Sequence, residues 1–384
     1  LALADRGLDA LREDAGLRAA MGAEGRRLSD GHPDAGECAA RLAAVLTAMA
    51  GRPGAALVPS RPVTVVTTVL DEGPAIDTLL DLLLPQLADE DEIVVVDGGS
   101  SDDTADRIRA RAAADARVRA LLAPGTNIPA GRNRGIADAR NDVIACTDAG
   151  CAPAPEWLAA LKAGFGERLG PDLLTGTYRV AARTSFEHAM AAACYPDLEE
   201  ARRPGPLARL YGRLLGLRPE ASLPTGRSSA FTREAWSRVG GFPEDLPTAE
   251  DVTFGRAIAA AGGRCLLCLD AEVTWEQRPS ARSTARMYYR YGAGGGRSGD
   301  PLIVGRDLVR AAAYGLGPLA FLAGGRLVRS TVLAGAAFYV SVPLLRARKR
   351  PRPLAVCALV PAALALKDVS KAAGCLASLL RRGA

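Results

Sequence analysis

The sequence predicts an α/β protein built on a doubly wound, mostly parallel sheet. Three observations carry that prediction. From Val63 onward, apolar strand-like runs alternate with helical patterns, and such alternation calls for a sheet with helices on both faces. Ile93 to Val96 is a continuous run of branched apolar residues, as expected of a strand covered on both sides. Several runs end in acidic residues, and open sheets of this class bind ligands at the carboxyl ends of their strands.

The elements follow in order. Residues 1–50 are alanine-rich with leucines at helical spacing and read as two or three helices; residues 51–62, "GRPGAALVPSRP", read as a linker. "PVTVVTTVL" is a strand, "PAIDTLLDLLLPQL" a helix and "EIVVVD" the second strand. Asp97 closes that strand, Gly98 and Gly99 let the chain turn sharply, and Ser100–Asp103 offer caps to the helix "TADRIRARAAA". "RVRALLAP" is a third strand, "AGRNRGIADA" opens another helix, and "DVIACTDA" is the fourth strand.

Composition bounds the class. With 384 residues, 48% of them hydrophobic and 24% charged, the chain can bury one large core or two smaller ones. The net charge of +5 comes mostly from dispersed arginines, a distribution that argues against nucleic acid as a partner. Eight scattered cysteines read as thiols of a reducing compartment. The one close pair, Cys265 and Cys268, sits in an apolar strand-like run without a second ligand pair, so core packing is expected over zinc.

Three strand ends carry polar groups: Asp71 and Glu72, Asp97, and Asp148. Carboxylates gathered on one rim repel one another, so a ligand rich in donors or a cation would account for them. A dinucleotide is disfavoured, because the first strand ends "TTVLDEGP" with no glycine-rich loop, and no P-loop occurs.

"VVVDGGSSDDT", "PAGRNRGIADARNDVIACTDAGC" and "GRSSAFTREAWSRVGGFPEDLPTAEDVTFGRAIAAAGG" occur in the order seen in family 2 glycosyltransferases. The chain resembles that family from about Val63 to Gly299, and the resemblance implies a GT-A catalytic domain over residues 63–300. It implies an inverting transfer of sugar from a UDP- or GDP-linked donor. It places Asp71 and Asp97 beside the nucleoside, with Arg132 and Asn133 near the donor phosphates or sugar. Asp148 matches the first carboxylate of the family's D-x-D element, whose work is to hold Mg2+ or Mn2+ against the diphosphate. Here Gly150 replaces the second carboxylate and Cys151 follows, which suits a hard cation poorly.

In "AED" the resemblance makes Asp251 the base that takes the acceptor's proton, with Glu250 able to raise its pKa; both acids also suit a helix N-terminus. Trp275 is a candidate for stacking on sugar or acceptor, and Arg278 and Arg286 for reaching the diphosphate. "REDAGLRAAMGAEGRRL" resembles the closing helices of family 4 glycosyltransferases. With a chain that begins at Leu1, residues 1–50 read either as part of a larger natural chain or as an ordinary helical leader.

The tail, residues 301–384, holds three charge-free apolar stretches, Ala311–Gly325, Ser330–Leu345 and Pro353–Leu366, each short of a full transmembrane span. Five of the seven residues in "RARKRPR" are basic. Short spans, re-entrant hairpins, interfacial helices and a buried soluble hairpin all fit the stretches, and the basic knot favours the cytoplasmic face of a membrane. The reading is a membrane-associated enzyme acting on a lipid-linked or cell-surface glycan. A catalytically silent nucleotide-sugar-binding scaffold and a soluble enzyme acting on a small metabolite are the alternatives.

Overall fold

The computed structural model describes residues 61–165, 170–215, 224–246 and 248–382. The helical segment read from residues 1–50 and nearly all of the linker lie outside them. One mixed sheet of eight strands organises the rest, in the order β3-β2-β1-β4-β7-β6-β8-β5. Its strands are β1 (Val63–Val69), β2 (Glu92–Asp97), β3 (Val118–Leu122), β4 (Val143–Cys146), β5 (Cys151–Pro153), β6 (Leu173–Ala181), β7 (Ser229–Thr232) and β8 (Cys265–Glu276). The half predicted from the alternating pattern, β3-β2-β1-β4, is parallel throughout, whereas β7 and β5 join antiparallel.

Side-chain alternation assigns the two faces. Val65, Ile93 and Val95 belong to one buried cluster, Val66, Val94 and Val96 to the other, as the two-residue period of a strand demands. On the first face pack α1 (Pro74–Leu83), α2 (Thr104–Ala114) and α4 (Trp157–Phe165), which contribute Leu80, Ile108 and Trp157. The second face takes Ile136 from α3 (Ile128–Asp138) and Phe254 from α9 (Glu250–Ala260). Gly135 permits this close packing, since a Cβ there would stand 2.7 Å from a Val66 methyl. Cys265 and Cys268 lie on β8 and pack against the two apolar clusters.

The remaining helices are α5 (Ser185–Cys194), α6 (Leu198–Arg202), α7 (Pro206–Leu215), α8 (Arg233–Arg238), α10 (Ala281–Ser298), α11 (Pro301–Ala323), α12 (Arg326–Ala347) and α13 (Pro353–Arg382). The last three run 23, 22 and 30 residues, longer than the charge-free stretches because each takes in flanking charges. Helices α12 and α13 are long and apolar enough to cross a membrane. Polar contacts also tie them together: Asp368 of α13 accepts from Tyr314 of α11 at 3.0 Å and from Tyr339 of α12, and Lys371 pairs with Asp307.

The basic knot is divided: Arg346 is buried and Arg350 half-buried, whereas Arg348, Lys349 and Arg352 are exposed. Arg346 forms a two-pronged pair with Glu200 at 2.6 Å, Lys349 lies 3.7 Å from Glu199, and Arg350 pairs with Asp197. The acidic start of α6 therefore neutralises most of it. The knot fastens α12 to the sheet domain.

Candidate active site

The ends of β2, β1 and β4 lie side by side. Register sets Val69 opposite Asp97 and Val66 opposite Cys146, so the loops carrying Asp71, Asp97 and Asp148 leave the sheet on one rim. Asp97 is buried, and its Oδ1 accepts from the Gly99 and Ser100 amides at 3.1 and 2.9 Å and from Ser100 Oγ at 2.7 Å. Asp71 is locked to the same turn: its amide donates to Ser100 Oγ at 2.9 Å, and its Oδ1 accepts from the Ser101 amide at 2.7 Å. Its φ of 54° is left-handed, a conformation costly for a residue with a Cβ and often found at working sites. Each aspartate has a second carboxylate oxygen outside these bonds.

Arg132 is the centre of the arrangement. It is 3% exposed, donating to Asp148 Oδ1 and to Glu250 Oε1 at 2.7 Å each. The ring of Phe242 lies 5.6 Å from its guanidinium carbon and stacks on Phe254. A planar fork offers separate nitrogens in fixed geometry to two carboxylates, where an ammonium offers a single nitrogen. Next to Glu250, Asp251 is held by backbone alone: the Gly226 amide donates to Oδ2 at 2.9 Å and the Val252 amide to Oδ1 at 2.8 Å. Gly226 also touches Arg132, for a Cβ there would meet Nη2 at 2.3 Å. Ala249 turns the chain into α9 with a left-handed φ of 67°, swinging Glu250 inward to 7% exposure. Asp148, Glu250 and Asp251 thus surround one cation.

Burial, and then the charge on Asp251, push the Glu250 carboxyl up to about 7, with Arg132 pulling the other way. Between the ordinary value of 4.5 and about 7 the folded state holds more protons than the unfolded chain, so this group's contribution to stability is lost as pH rises through that window. Thermal melting of the parent is therefore expected to decline against Glu250→Gln between those pH values; parallel melting curves would refute it. Burial likewise raises Glu72, while Arg278 lowers it and Asp148 raises it, so these three groups share one electrostatic field.

Two expected ligand-binding groups are committed elsewhere. Asn133 is consumed in structure: its Oδ1 accepts from Trp236 Nε1 at 3.0 Å and the Phe242 amide at 2.9 Å, while its Nδ2 donates to the Phe242 carbonyl and Glu244. It pins the "GGFPEDL" loop to α3 and does not offer itself to a donor. Trp275 is 7% exposed, edge-on to Tyr195, with a guanidinium 4.5 Å above its ring. Its face is taken, so core packing replaces stacking on sugar.

That guanidinium belongs to Arg227, which sequence reading passed over. It lies between Trp275 and Tyr178, 5.1 Å from the latter, and donates to Tyr291 at 3.1 Å, while its Nε is buried without a partner among the described residues. Its place beside Gly226 was the available signal. Arg278 and Arg286 are exposed, and Gln277 is 5% exposed with neither amide atom bonded among the described residues.

The donor set suits a divalent ion only in part. Asp148 commits one oxygen to Arg132 and leaves the other; a Cβ on Gly150 would meet nothing within 4 Å. Burial pushes the Cys151 thiol up to about 12, which keeps it protonated and outside a hard-cation site. Among the described residues no group of three or more His, Cys, Asp or Glu side chains is placed to hold a metal. An ion here would need oxygens supplied by a ligand.

Residues 64–193 match the model of Glycosyl transferase family 2, and residues 130–293 that of Glycosyl transferase family 21. Neither match reaches residues 1–63, so the family 4 resemblance of the N-terminal segment gains no support. No curated protein matches the sequence significantly. Among solved structures, the chain is similar to the mannosyltransferase PcManGT from Pyrobaculum calidifontis in complex with GDP-Man and Mn2+, at 20% identity over 81% of this chain and 91% of that one, with a TM-score of 0.54. TarS 1-349 of S. aureus aligns at 15% identity over 84% of this chain and 92% of its own, with a TM-score of 0.42. The likeness to PcManGT shows the GT-A fold. The two family matches cover the rim, Arg132 and the acidic pair.

Proposed function

We propose that this glycosyltransferase moves a sugar from a nucleoside diphosphate to a hydroxyl of a lipid-linked or surface glycan, with inversion and with Asp251 as general base. The observation that carries the reading is the convergence of Asp148, Glu250 and Asp251 on buried Arg132, beside the rim that bears Asp71 and Asp97. The uncommitted oxygens of Asp71 and Asp97 accept from ribose or base. Arg132 holds Asp148 aimed at the diphosphate, and holds Glu250 so that Asp251 faces the acceptor. Two backbone amides fix Asp251, leaving little reorganisation for proton removal. Arg227 and Arg278 add positive charge where the second carboxylate of the D-x-D element is missing.

A divalent ion carried in on the diphosphate would be held by Asp148 and would offset negative charge on the leaving group. Residues 63–300 serve as the catalytic unit and residues 301–384 as its membrane-associating tail, with the active site on the cytoplasmic side, where nucleotide sugars are made. Exposed Leu316, Leu319, Leu322, Leu327 and Leu333 on α11 and α12 support the membrane association of the tail.

The test is calorimetric titration of Mn2+ with and without UDP or GDP, followed by assay of a panel of UDP- and GDP-sugars for transfer or slow hydrolysis. Mn2+ is expected to bind only with the nucleotide present, and one donor is expected to turn over. Nucleotide binding without turnover of any donor would leave a silent scaffold.

A further inference from the structure

Helix α7, "PLARLYGRLL", is divided into three faces. One is packed: Tyr211 and Gly212 are buried, Tyr211 Oη donates to the Tyr339 carbonyl of α12 at 3.0 Å, and Arg310 of α11 donates to the Leu215 carbonyl. A second carries Leu207, Leu210 and Leu214, which are 38%, 49% and 66% exposed. At 3.6 residues per turn these three fall within an arc of about 60°. The third carries exposed Arg209 and Arg213, with Arg203 just before the helix, and none of the three has an acidic partner among the described residues. Apolar stripe and basic flank lie edge to edge.

Position gives the stripe a meaning. Helix α7 touches α12 at Tyr339 and α11 at Arg310. Beyond those points both helices continue for roughly 20 Å to their connecting turn, at 1.5 Å per residue. That stretch exposes Leu316, Leu319, Leu322, Leu327 and Leu333. The α7 leucines therefore adjoin an apolar hairpin at the level where it leaves the folded domain, and unpaired arginines stand beside them. A helix with an apolar face and an arginine flank suits the boundary between lipid headgroups and acyl chains.

We propose that α7 lies flat on an anionic bilayer, with Leu207, Leu210 and Leu214 entering the acyl boundary and Arg203, Arg209 and Arg213 on lipid phosphates, as a collar around the entry of the α11–α12 hairpin. The occupant is lipid, because charge complementarity and continuity with the hairpin's apolar surface both favour it. Tyr211 and Leu215 fasten α7 to α12 and α11, so the collar sets the folded domain at a fixed height over the surface that carries a lipid-linked acceptor. This inference rests on the membrane reading above.

Leu210→Trp, with Leu214→Trp as a second probe and Ala113→Trp on α2 as a reference, tests it in the full-length protein. The added tryptophan emission is compared with the parent in vesicles of phosphatidylcholine alone or mixed with phosphatidylglycerol, with or without brominated acyl chains, while flotation reports binding. With the anionic brominated vesicles the α7 probes are expected to shift blue and lose roughly half of their added emission. The reference probe is unaffected, and Arg209→Ser/Arg213→Ser weakens the response. Floating protein with unmoved α7 probes overturns the collar but leaves the membrane reading standing; protein that floats with neither vesicle ends both. Equal quenching in the two lipids overturns the anionic assignment. A blue shift that grows with protein concentration in the absence of lipid assigns the stripe to a second copy of the chain and likewise overturns the proposal.

Discussion

Asp251→Asn is expected to lower the transfer rate by roughly 10²–10⁴-fold, the usual worth of a positioned general base. Nucleotide affinity should stay within about twofold, because the change removes basicity and keeps the size of the side chain. The carboxamide oxygen can still accept from the Gly226 amide, which now donates to Asp251 Oδ2 at 2.9 Å. Thermal melting close to that of the parent would confirm that the loss is chemical. Steady-state kinetics with saturating donor separate the possibilities: a fall in kcat with donor KM preserved supports the assignment. Unchanged turnover would remove Asp251 from the mechanism and move attention to Glu250.

Arg132→Met is expected to cost about 3–5 kcal/mol of stability, the penalty for leaving buried charge unpaired, and to lower the melting temperature by about 10 °C. Both Asp148 and Glu250 lose their partner, each now 2.7 Å from a guanidinium nitrogen. Glu250, at 7% exposure, has little access to solvating water. The deficit should shrink as pH falls toward about 7, because Glu250, held up to about 7 even beside Arg132, takes its proton at higher pH once the arginine is gone, and the unpaired charge disappears. Arg132→Lys is expected to rescue only part of it, since one ammonium cannot span both carboxylates in the geometry of the fork. Denaturant titration at two pH values measures the effect. A variant as stable as the parent at both would mean that the pairs are incidental to the fold.

Legibility of the site in the sequence tracked the distance over which each side chain's environment is assembled. Asp97 ends an apolar run and caps the turn that follows, with all three recorded partners within three residues; local pattern was enough to find it. Asp148 was visible as a strand end, whereas Glu250 and Asp251 stood out through the family resemblance, because an acidic helix start by itself reads as a cap. Asn133 was misread because its partners are Trp236, Phe242 and Glu244, more than 100 residues away. Trp275 was misread because Arg227, 48 residues earlier, covers its ring. Part of the basic knot is spent on the fold because its acidic partners lie in α6, with Arg346 reaching Glu200 across 146 residues, while Arg348, Lys349 and Arg352 stay exposed.

By itself the sequence determined the strand-helix rhythm from Val63, the parallel half of the sheet, and which acidic residues stand at strand and helix ends. Those follow from backbone periodicity and turn chemistry, which act over a few neighbouring residues. Tertiary structure alone decided the mixed half of the sheet, the bridging role of Arg132, the burial of Trp275, the pairing of Arg346 with Glu200 and the leucines that α7 leaves uncovered. Each depends on which groups the folded chain brings within a few ångströms, and at that range one hydrogen bond or one covering ring decides whether a side chain is spent on the fold or free for a ligand.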